Sequence, residues 1–153
     1  FKPEIDDRYN KDKISSHTGV KIDAVTINSE DNVKEQIMDY ILKYESRNDD
    51  IDVIMIDEVN LFNNEIIKTV DELAKNSYRV ILSGLDQNFR GEPFDPVPDL
   101  MAIADHIEEC GEPATKTQKL IDGKPASYDD PTIDVGGDEK YEPRCRDCHS
   151  VDK

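Results

Sequence analysis

The chain has 153 residues, of which 35% are charged and 36% hydrophobic, and its formal net charge is −16. This length suits one domain, with at most a small appendage. An acidic balance argues against a protein that binds a DNA or RNA backbone, because such proteins need a basic surface. The chain has no apolar run of membrane-spanning length and no secretory segment, so we expect a soluble, cytoplasmic protein with no nucleic-acid or membrane partner.

Strands and helices are predicted to alternate along the first part of the chain. Residues 1–3 resemble the end of a strand, and short apolar or β-branched runs predict strands at 24–27, 53–57 and 79–84. Apolar residues at helical spacing predict helices across residues 33–44 and 66–74. This rhythm predicts an α/β fold with a parallel sheet.

The strand at 53–57 ends in two adjacent carboxylates, Asp57 and Glu58. A continuous apolar run is typical of a strand buried on both faces. Ligands bind beyond the carboxyl ends of parallel strands, so this pair fits a Walker-B strand that holds Mg²⁺ for a bound nucleotide. The alternative is an ordinary strand end, where acidic residues are common.

A phosphate-binding loop should accompany a Walker-B strand. The seven glycines include no G-x-x-x-x-G-K-[ST] pattern, and the first residue is Phe1 rather than methionine. We therefore expect the written sequence to be incomplete, with that loop upstream of Phe1.

The second half of the chain changes in character after Gly84. Residues 85–94 form a long segment with two phenylalanines, which is typical of a binding loop. A helix is predicted next, with Pro96 or Pro98 in its first turn and an inward face formed by Leu100, Ile103, Ala104 and Ile107. Further on, Asp122-Gly123 predicts the turn of a β-hairpin.

The three cysteines indicate a metal site. Cys145 and Cys148 have zinc-knuckle spacing, and with Cys110 they suggest a zinc ribbon. A fourth cysteine is expected in a segment lost between Glu108 and Glu109, whereas His149 is an awkward substitute because it adjoins Cys148. The alternatives are a redox pair and unrelated free thiols.

Five segments together resemble the zinc-containing thymidine kinases of the bacterial and cytosolic type. They are residues 56–62, 84–94, 110–114, 136–141 and 145–149, and the likeness extends from Phe1 to about Val151. The resemblance implies a P-loop NTPase-like core at residues 1–108 and a small zinc-binding lasso domain at 109–153. It implies transfer of the ATP γ-phosphate to the thymidine 5′-hydroxyl, which yields dTMP, with Mg²⁺ and a structural Zn²⁺. It also suggests a homotetramer and feedback inhibition by dTTP.

The resemblance also implies roles for individual residues. Glu58 matches the general base and Asp57 the Mg²⁺ ligand. The ATP side is matched by Asp6, Asp7, Arg8 and Asn60, the last of which replaces a usual glutamine. Phe89 matches an aromatic that stacks on the base, with Leu85 and Phe94 nearby. The lasso over thymine corresponds to Thr132, Ile133, Asp134, Val135, Gly136 and Tyr141, and the zinc ligands to Cys110, Cys145 and Cys148.

Two glycines shape the expectation for specificity. Gly136 and Gly137 permit backbone conformations closed to other residues, so we expect main-chain amides to hydrogen-bond the base and the Asp134 side chain to matter little for binding.

Two other classes of protein remain open. One is a P-loop ATPase in which Glu58 polarises water, and the other is a non-enzymatic zinc-ribbon module with Phe89 and Phe94 in its core.

Overall fold

The structure is a computed structural model that describes residues 1–6, 13–15, 20–47, 50–110 and 115–152. The helices are α1 (Val33–Glu45), α2 (Glu65–Lys75) and α3 (Val97–Ile103), and a short 3-10 turn spans Val59–Leu61. The strands are β1 (Lys2–Pro3), β2 (Lys13–Ser15), β3 (Lys21–Asp23), β4 (Thr26–Ile27), β5 (Val53–Ile56), β6 (Arg79–Leu82), β7 (Thr115–Ile121), β8 (Lys124–Pro125) and β9 (Tyr141–Cys145).

The first half of the fold contains two parallel strand pairs and one antiparallel pair, β2 with β3. β1 pairs with β4, and β5 pairs with β6 from Val53↔Arg79 to Ile56↔Leu82. Phe1 joins the two ladders, because its nitrogen donates to the Met55 carbonyl at 2.6 Å and its carbonyl accepts from the Asp57 amide at 3.0 Å. These pairs confirm the predicted α/β class with parallel strands.

The main core lies on one side of β5. Ile54 and Ile56 are 3% and 1% exposed and belong to the same apolar cluster as buried residues of α1 and α2. Val53 and Met55 point the other way and are 46% and 55% exposed. The prediction that this strand is buried on both faces is therefore wrong for the part of the chain described. Its apolar run lacks alternation, but helices cover only one side of it there.

The third helix confirms its predicted start but not its predicted inward face. Pro98 lies in the first turn of α3 and Leu100 is buried, as expected. Ile103 and Ile107 are 47% and 48% exposed, and Ala104 is exposed as well. The reason is that the helix ends at Ile103 and Ala104 is extended (φ −72°, ψ 137°), which breaks the helical spacing that would bring later residues inward.

An antiparallel sheet of order β8-β7-β9 forms the second half. β7 and β8 are joined by Asp122 and Gly123, whose φ angles of 52° and 74° fit a type I′ turn and confirm the predicted hairpin. β7 also pairs with β9 from Thr115↔Cys145 to Lys119↔Tyr141. Across the described ranges, no helix is long and apolar enough to cross a membrane.

Candidate active site

The acidic pair lies where β5 ends, at the carboxyl edge of the parallel strands. The Asp57 carboxylate accepts a hydrogen bond of 2.6 Å from the Ser83 hydroxyl, which follows β6. The Ser83 amide in turn donates to the Ile56 carbonyl at 3.0 Å. Ser83 therefore fixes the orientation of Asp57, a contact that the local sequence pattern did not indicate.

Glu58 has a backbone conformation that residues other than glycine seldom adopt. Its φ and ψ are 52° and 46°, in the left-handed region, where it begins the 3-10 turn. Such a conformation costs about 1–3 kcal/mol and is found disproportionately at active sites. The turn is held by hydrogen bonds from the Val59 amide to the Ser83 carbonyl (3.0 Å) and from the Leu61 amide to the Glu58 carbonyl (2.9 Å). The strain thus falls on the residue expected to act as the base.

Asn60 connects this turn to the loop at residues 85–94. Its side chain is buried, and its Oδ1 accepts a hydrogen bond from the Leu85 amide at 2.9 Å. Gly84 makes the close approach possible, because a Cβ there would lie 2.7 Å from Asn60 Oδ1 and 2.9 Å from Val59 Cγ2. Asn60 therefore fixes the start of residues 85–94, which we call the phenylalanine loop.

A cavity of about 210 Å³ opens between the Glu58 turn, the phenylalanine loop and residues 132–141. This volume lies below the roughly 300–1,000 Å³ of drug-sized sites and suits a small ligand. The cavity brings together residues that the sequence analysis singled out, namely Glu58, Asn60, Leu85, Phe89, Phe94, Thr132, Ile133, Asp134, Val135, Gly136 and Tyr141. It is also lined by Gly137, and by residues to which the sequence analysis gave no individual role, namely Leu61, Gln87, Asn88, Thr117 and Asp138.

Phe89 is 2% exposed and held from several sides. The Lys119 ammonium and the Arg90 guanidinium lie 5.3 Å and 5.5 Å from its ring centre. Its carbonyl is 2.7 Å from His149 Nε2. This ring nitrogen is therefore engaged by the Phe89 backbone, which weakens the case for His149 as a fourth metal ligand through that atom.

The phenylalanine loop is tied to the antiparallel sheet and the segments that follow β8. Arg90 Nη2 donates to the Asp130 carbonyl at 3.0 Å, and the Arg90 guanidinium lies 4.5 Å from the Tyr128 ring centre. The Tyr128 hydroxyl hydrogen-bonds Glu92, which lowers the pKa of Glu92 and raises that of Tyr128. Lys116 also hydrogen-bonds Gln87. One wall of the cavity is thus fixed to the other half of the fold.

The glycines of the predicted lasso do not have the expected backbone conformation. The left-handed glycines of the described chain are Gly91 and Gly123, and neither Gly136 nor Gly137 is among them. Gly136 lies close to the Lys140 side chain, and a Cβ there would lie 2.5 Å from Lys140 Cδ and 3.1 Å from Lys140 Cβ. The predicted special backbone conformation is therefore wrong for Gly136 and Gly137. Gly136 instead leaves room for the Lys140 side chain.

Cys145 and Cys148 form a tight turn at the end of β9. The Cys148 and His149 amides both donate to the Cys145 carbonyl, at 3.0 and 2.9 Å. A hydrogen bond between the two thiols lowers the pKa of Cys145 and raises that of Cys148. Among the described residues, no group of three or more His, Cys, Asp or Glu side chains is placed to hold a metal ion. The turn fits one half of a tetrahedral thiolate site.

The predicted ATP-side residues are described in part. Asp6 follows β1 and is 5% exposed, in an ion pair with Lys2 whose Nζ–Oδ2 distance is 3.5 Å. Because Phe1 connects β1 to β5, Asp6 and Asp57 follow neighbouring strand ends. Asp7 and Arg8 lie outside the described residues.

The fold and this site define an α/β protein with acidic residues at a parallel strand edge and a small cavity walled by a buried phenylalanine. The sequence model of the thymidine kinase family matches residues 1–149, and the chain belongs to that family. It is therefore a kinase whose substrates are thymidine and ATP.

Proposed function

We propose that the cavity bounded by Glu58, Phe89 and residues 132–136 binds thymidine, and that the γ-phosphate of ATP is transferred there to the 5′-hydroxyl. The observation that carries this proposal is the cavity lining, in which Glu58 and the phenylalanine loop face the same space. A nucleoside in that space would have a carboxylate close to its reacting hydroxyl and an aromatic ring close to its base.

Glu58 is proposed as the general base. Phosphoryl transfer depends mainly on positioning and on neutralising charge, so the protein needs little covalent chemistry of its own. The Glu58 carboxylate would accept the proton of the 5′-hydroxyl as its oxygen attacks the γ-phosphorus and ADP leaves. A positioned base of this kind contributes roughly 10²- to 10⁴-fold to the rate. The strained turn supports this role, because its left-handed residue is Glu58, which also lines the cavity.

Asp57 is proposed to hold the Mg²⁺ ion that accompanies ATP. A carboxylate is the ligand type that Mg²⁺ prefers, and the hydrogen bond from Ser83 orients it at the strand edge. When bound, the ion would neutralise charge on the ATP phosphates. We propose Asp6, Asp7, Arg8 and Asn60 as further residues of the ATP side, on a core of the P-loop type at residues 1–108.

Thymine is proposed to be recognised by stacking and by main-chain hydrogen bonds. The base is uncharged, so its site requires aromatic contact and a few directed donors and acceptors. Phe89 would supply the stacking surface, with Leu85 and Phe94 beside it. Residues 132–136 would face the edge of the base, with Tyr141 behind them.

We also propose that the chain is of the zinc-containing type, with a structural Zn²⁺ in a domain at residues 109–153. The Cys145–Cys148 turn supports the proposal because its geometry suits two thiolate ligands. Cys110 would be the third ligand and a further cysteine the fourth. A homotetrameric assembly and feedback inhibition by dTTP are proposals that rest on the family resemblance alone. A cytoplasmic location is proposed from the composition and apolar pattern of the sequence.

The site of phosphorylation can be tested with two thymidine analogues and the full-length protein. We expect 3′-deoxythymidine, which retains the 5′-hydroxyl, to be phosphorylated by ATP. We expect 5′-deoxythymidine to remain unmodified and to inhibit competitively with thymidine, since the base can still bind. Chromatography of the products and steady-state inhibition provide the measurements. Phosphorylation of 5′-deoxythymidine would show that a different hydroxyl is the acceptor.

A further inference from the structure

A lysine ammonium is buried next to the proposed thymidine site. The Lys119 side chain is 2% exposed, and its Nζ donates to the Pro131 carbonyl at 3.0 Å. Its Nζ also lies 3.0 Å from Asp134 Oδ2 and 5.3 Å from the centre of the Phe89 ring. An ammonium removed from water is costly unless an opposite charge and hydrogen bonds compensate it. Asp134 supplies that charge.

Asp134 is shared between two lysines. Lys140 Nζ donates to Asp134 Oδ1 at 2.6 Å and to the Val135 carbonyl at 3.0 Å. The hydrogen bonds from Lys140 and Lys119 hold the pKa of Asp134 below its usual value, so the carboxylate is charged at neutral pH. The three side chains form one connected network, with Asp134 in the middle.

This network fixes the main chain that lines the cavity. The carbonyls of Pro131 and Val135 accept from Lys119 and Lys140, and the carbonyl of Asp134 accepts from the Tyr141 hydroxyl at 2.5 Å. Asp134, Val135 and Tyr141 are themselves lining residues of the cavity. The main chain at residues 131–135, which is proposed to hydrogen-bond the base, is thus held by side chains rather than by a regular sheet.

We propose that Lys119, Asp134 and Lys140 form a charged clasp, and that Asp134 is the positioning residue that sets residues 131–135 and the Phe89 ring for thymidine binding. The inference rests on the proposed thymidine-binding role of this cavity. It revises the sequence-based expectation that the Asp134 side chain matters little, which took no account of the two lysines.

The close approach of Lys140 to Gly136 is a second observation in favour of the clasp. A Cβ on Gly136 would meet Lys140 Cδ at 2.5 Å and Cγ at 3.0 Å. These are the carbons that carry the Lys140 ammonium to Asp134 and the Val135 carbonyl. The small residue therefore keeps the path of the Lys140 side chain open.

The clasp can be tested by a double-mutant cycle in the full-length protein. Asp134→Leu leaves the Lys119 ammonium buried without its partner, and Lys119→Met leaves Asp134 with Lys140 alone. We expect each single variant to raise the KM for thymidine about 10-fold or more, with kcat and the KM for ATP changed less than about 2-fold. The double variant replaces the buried pair by apolar side chains of similar size. We expect it to regain part of the thymidine affinity, to the several-fold rise in KM expected from the loss of the Lys140 bond alone, because no uncompensated buried charge remains.

Two further variants keep the test decisive. Asp129→Asn removes a carboxylate from an exposed position nearby and should leave the KM for thymidine unchanged. If the Asp134→Leu protein does not fold, Lys140→Met supplies the readout, since it preserves the buried pair and should still raise the KM for thymidine several-fold.

Three results would overturn the inference. They are a KM for thymidine that stays at the wild-type value in the single variants, an equal rise in both KM values, and a double variant no better than the worse single one. The thymidine-binding proposal fails separately if Phe94→Ala, a change in the cavity lining outside the clasp, leaves thymidine binding at the wild-type level. In that event the coupling of Lys119 and Asp134 would still be visible in the melting temperatures of the same four proteins.

Discussion

Replacing Glu58 by glutamine is expected to lower kcat by roughly 10²-fold or more while leaving thymidine binding largely intact. The amide keeps the size of the side chain but cannot accept the proton of the attacking hydroxyl. The melting temperature should stay close to that of the wild type, because glutamine has the same left-handed backbone strain as glutamate at φ 52°. Steady-state kinetics and calorimetric titration with thymidine provide the measurements.

A matched control separates this effect from a general loss of negative charge. Glu35 lies in the first turn of α1 and is exposed. We expect Glu35→Gln to retain wild-type kcat and both KM values. Near wild-type turnover in the Glu58→Gln protein would remove Glu58 from the role of base.

Loss of the zinc site is the second change expected to have a large effect. We predict that the natural protein contains one Zn²⁺ and that Cys148→Ser abolishes its binding, because a closed structural site needs all four ligands. The antiparallel sheet should then lose its folded structure, since metal binding supplies much of the folding free energy of such small units. Thymidine binding should disappear with it, whereas α1 and α2 should remain folded around the main core.

Three measurements on the same samples test the zinc prediction. Elemental analysis gives the metal content, circular dichroism reports the helices and calorimetric titration reports thymidine binding. Asp147→Asn changes an exposed residue inside the same turn and should keep both zinc and thymidine. A wild-type protein without zinc, or a Cys148→Ser protein that still binds thymidine, would refute the prediction.

The features that the sequence predicted correctly are those that local patterns determine. Apolar residues at helical spacing located α1 and α2, and the Asp122-Gly123 pair located the hairpin turn. Apolar runs located β5 and β6, and the alternation of strands and helices gave their parallel pairing. The grouping of Glu58 with Phe89 came from the family resemblance, and the cavity lining agrees with that grouping.

The features that the sequence did not predict depend on contacts between distant residues. Exposure of Val53 and Met55 depends on which elements cover β5, which its own residues do not encode. The hydrogen bond between Arg90 and the Asp130 carbonyl joins residues 40 positions apart. The spacing from Lys119 to Asp134 follows no helical or strand period, so the buried ion pair became visible only in the folded chain.

The most direct test of the proposed phosphoryl transfer to thymidine is to measure ADP formation by the full-length protein with ATP and one nucleoside at a time. We propose that a small flat base is bound between Phe89 and residues 132–136, which line the same cavity. We therefore predict rapid ADP formation with thymidine, very little with deoxyadenosine, and almost none when no nucleoside is added. ADP formation at the same rate with and without thymidine would contradict the proposed phosphoryl transfer to thymidine and would favour the alternative of an ATPase.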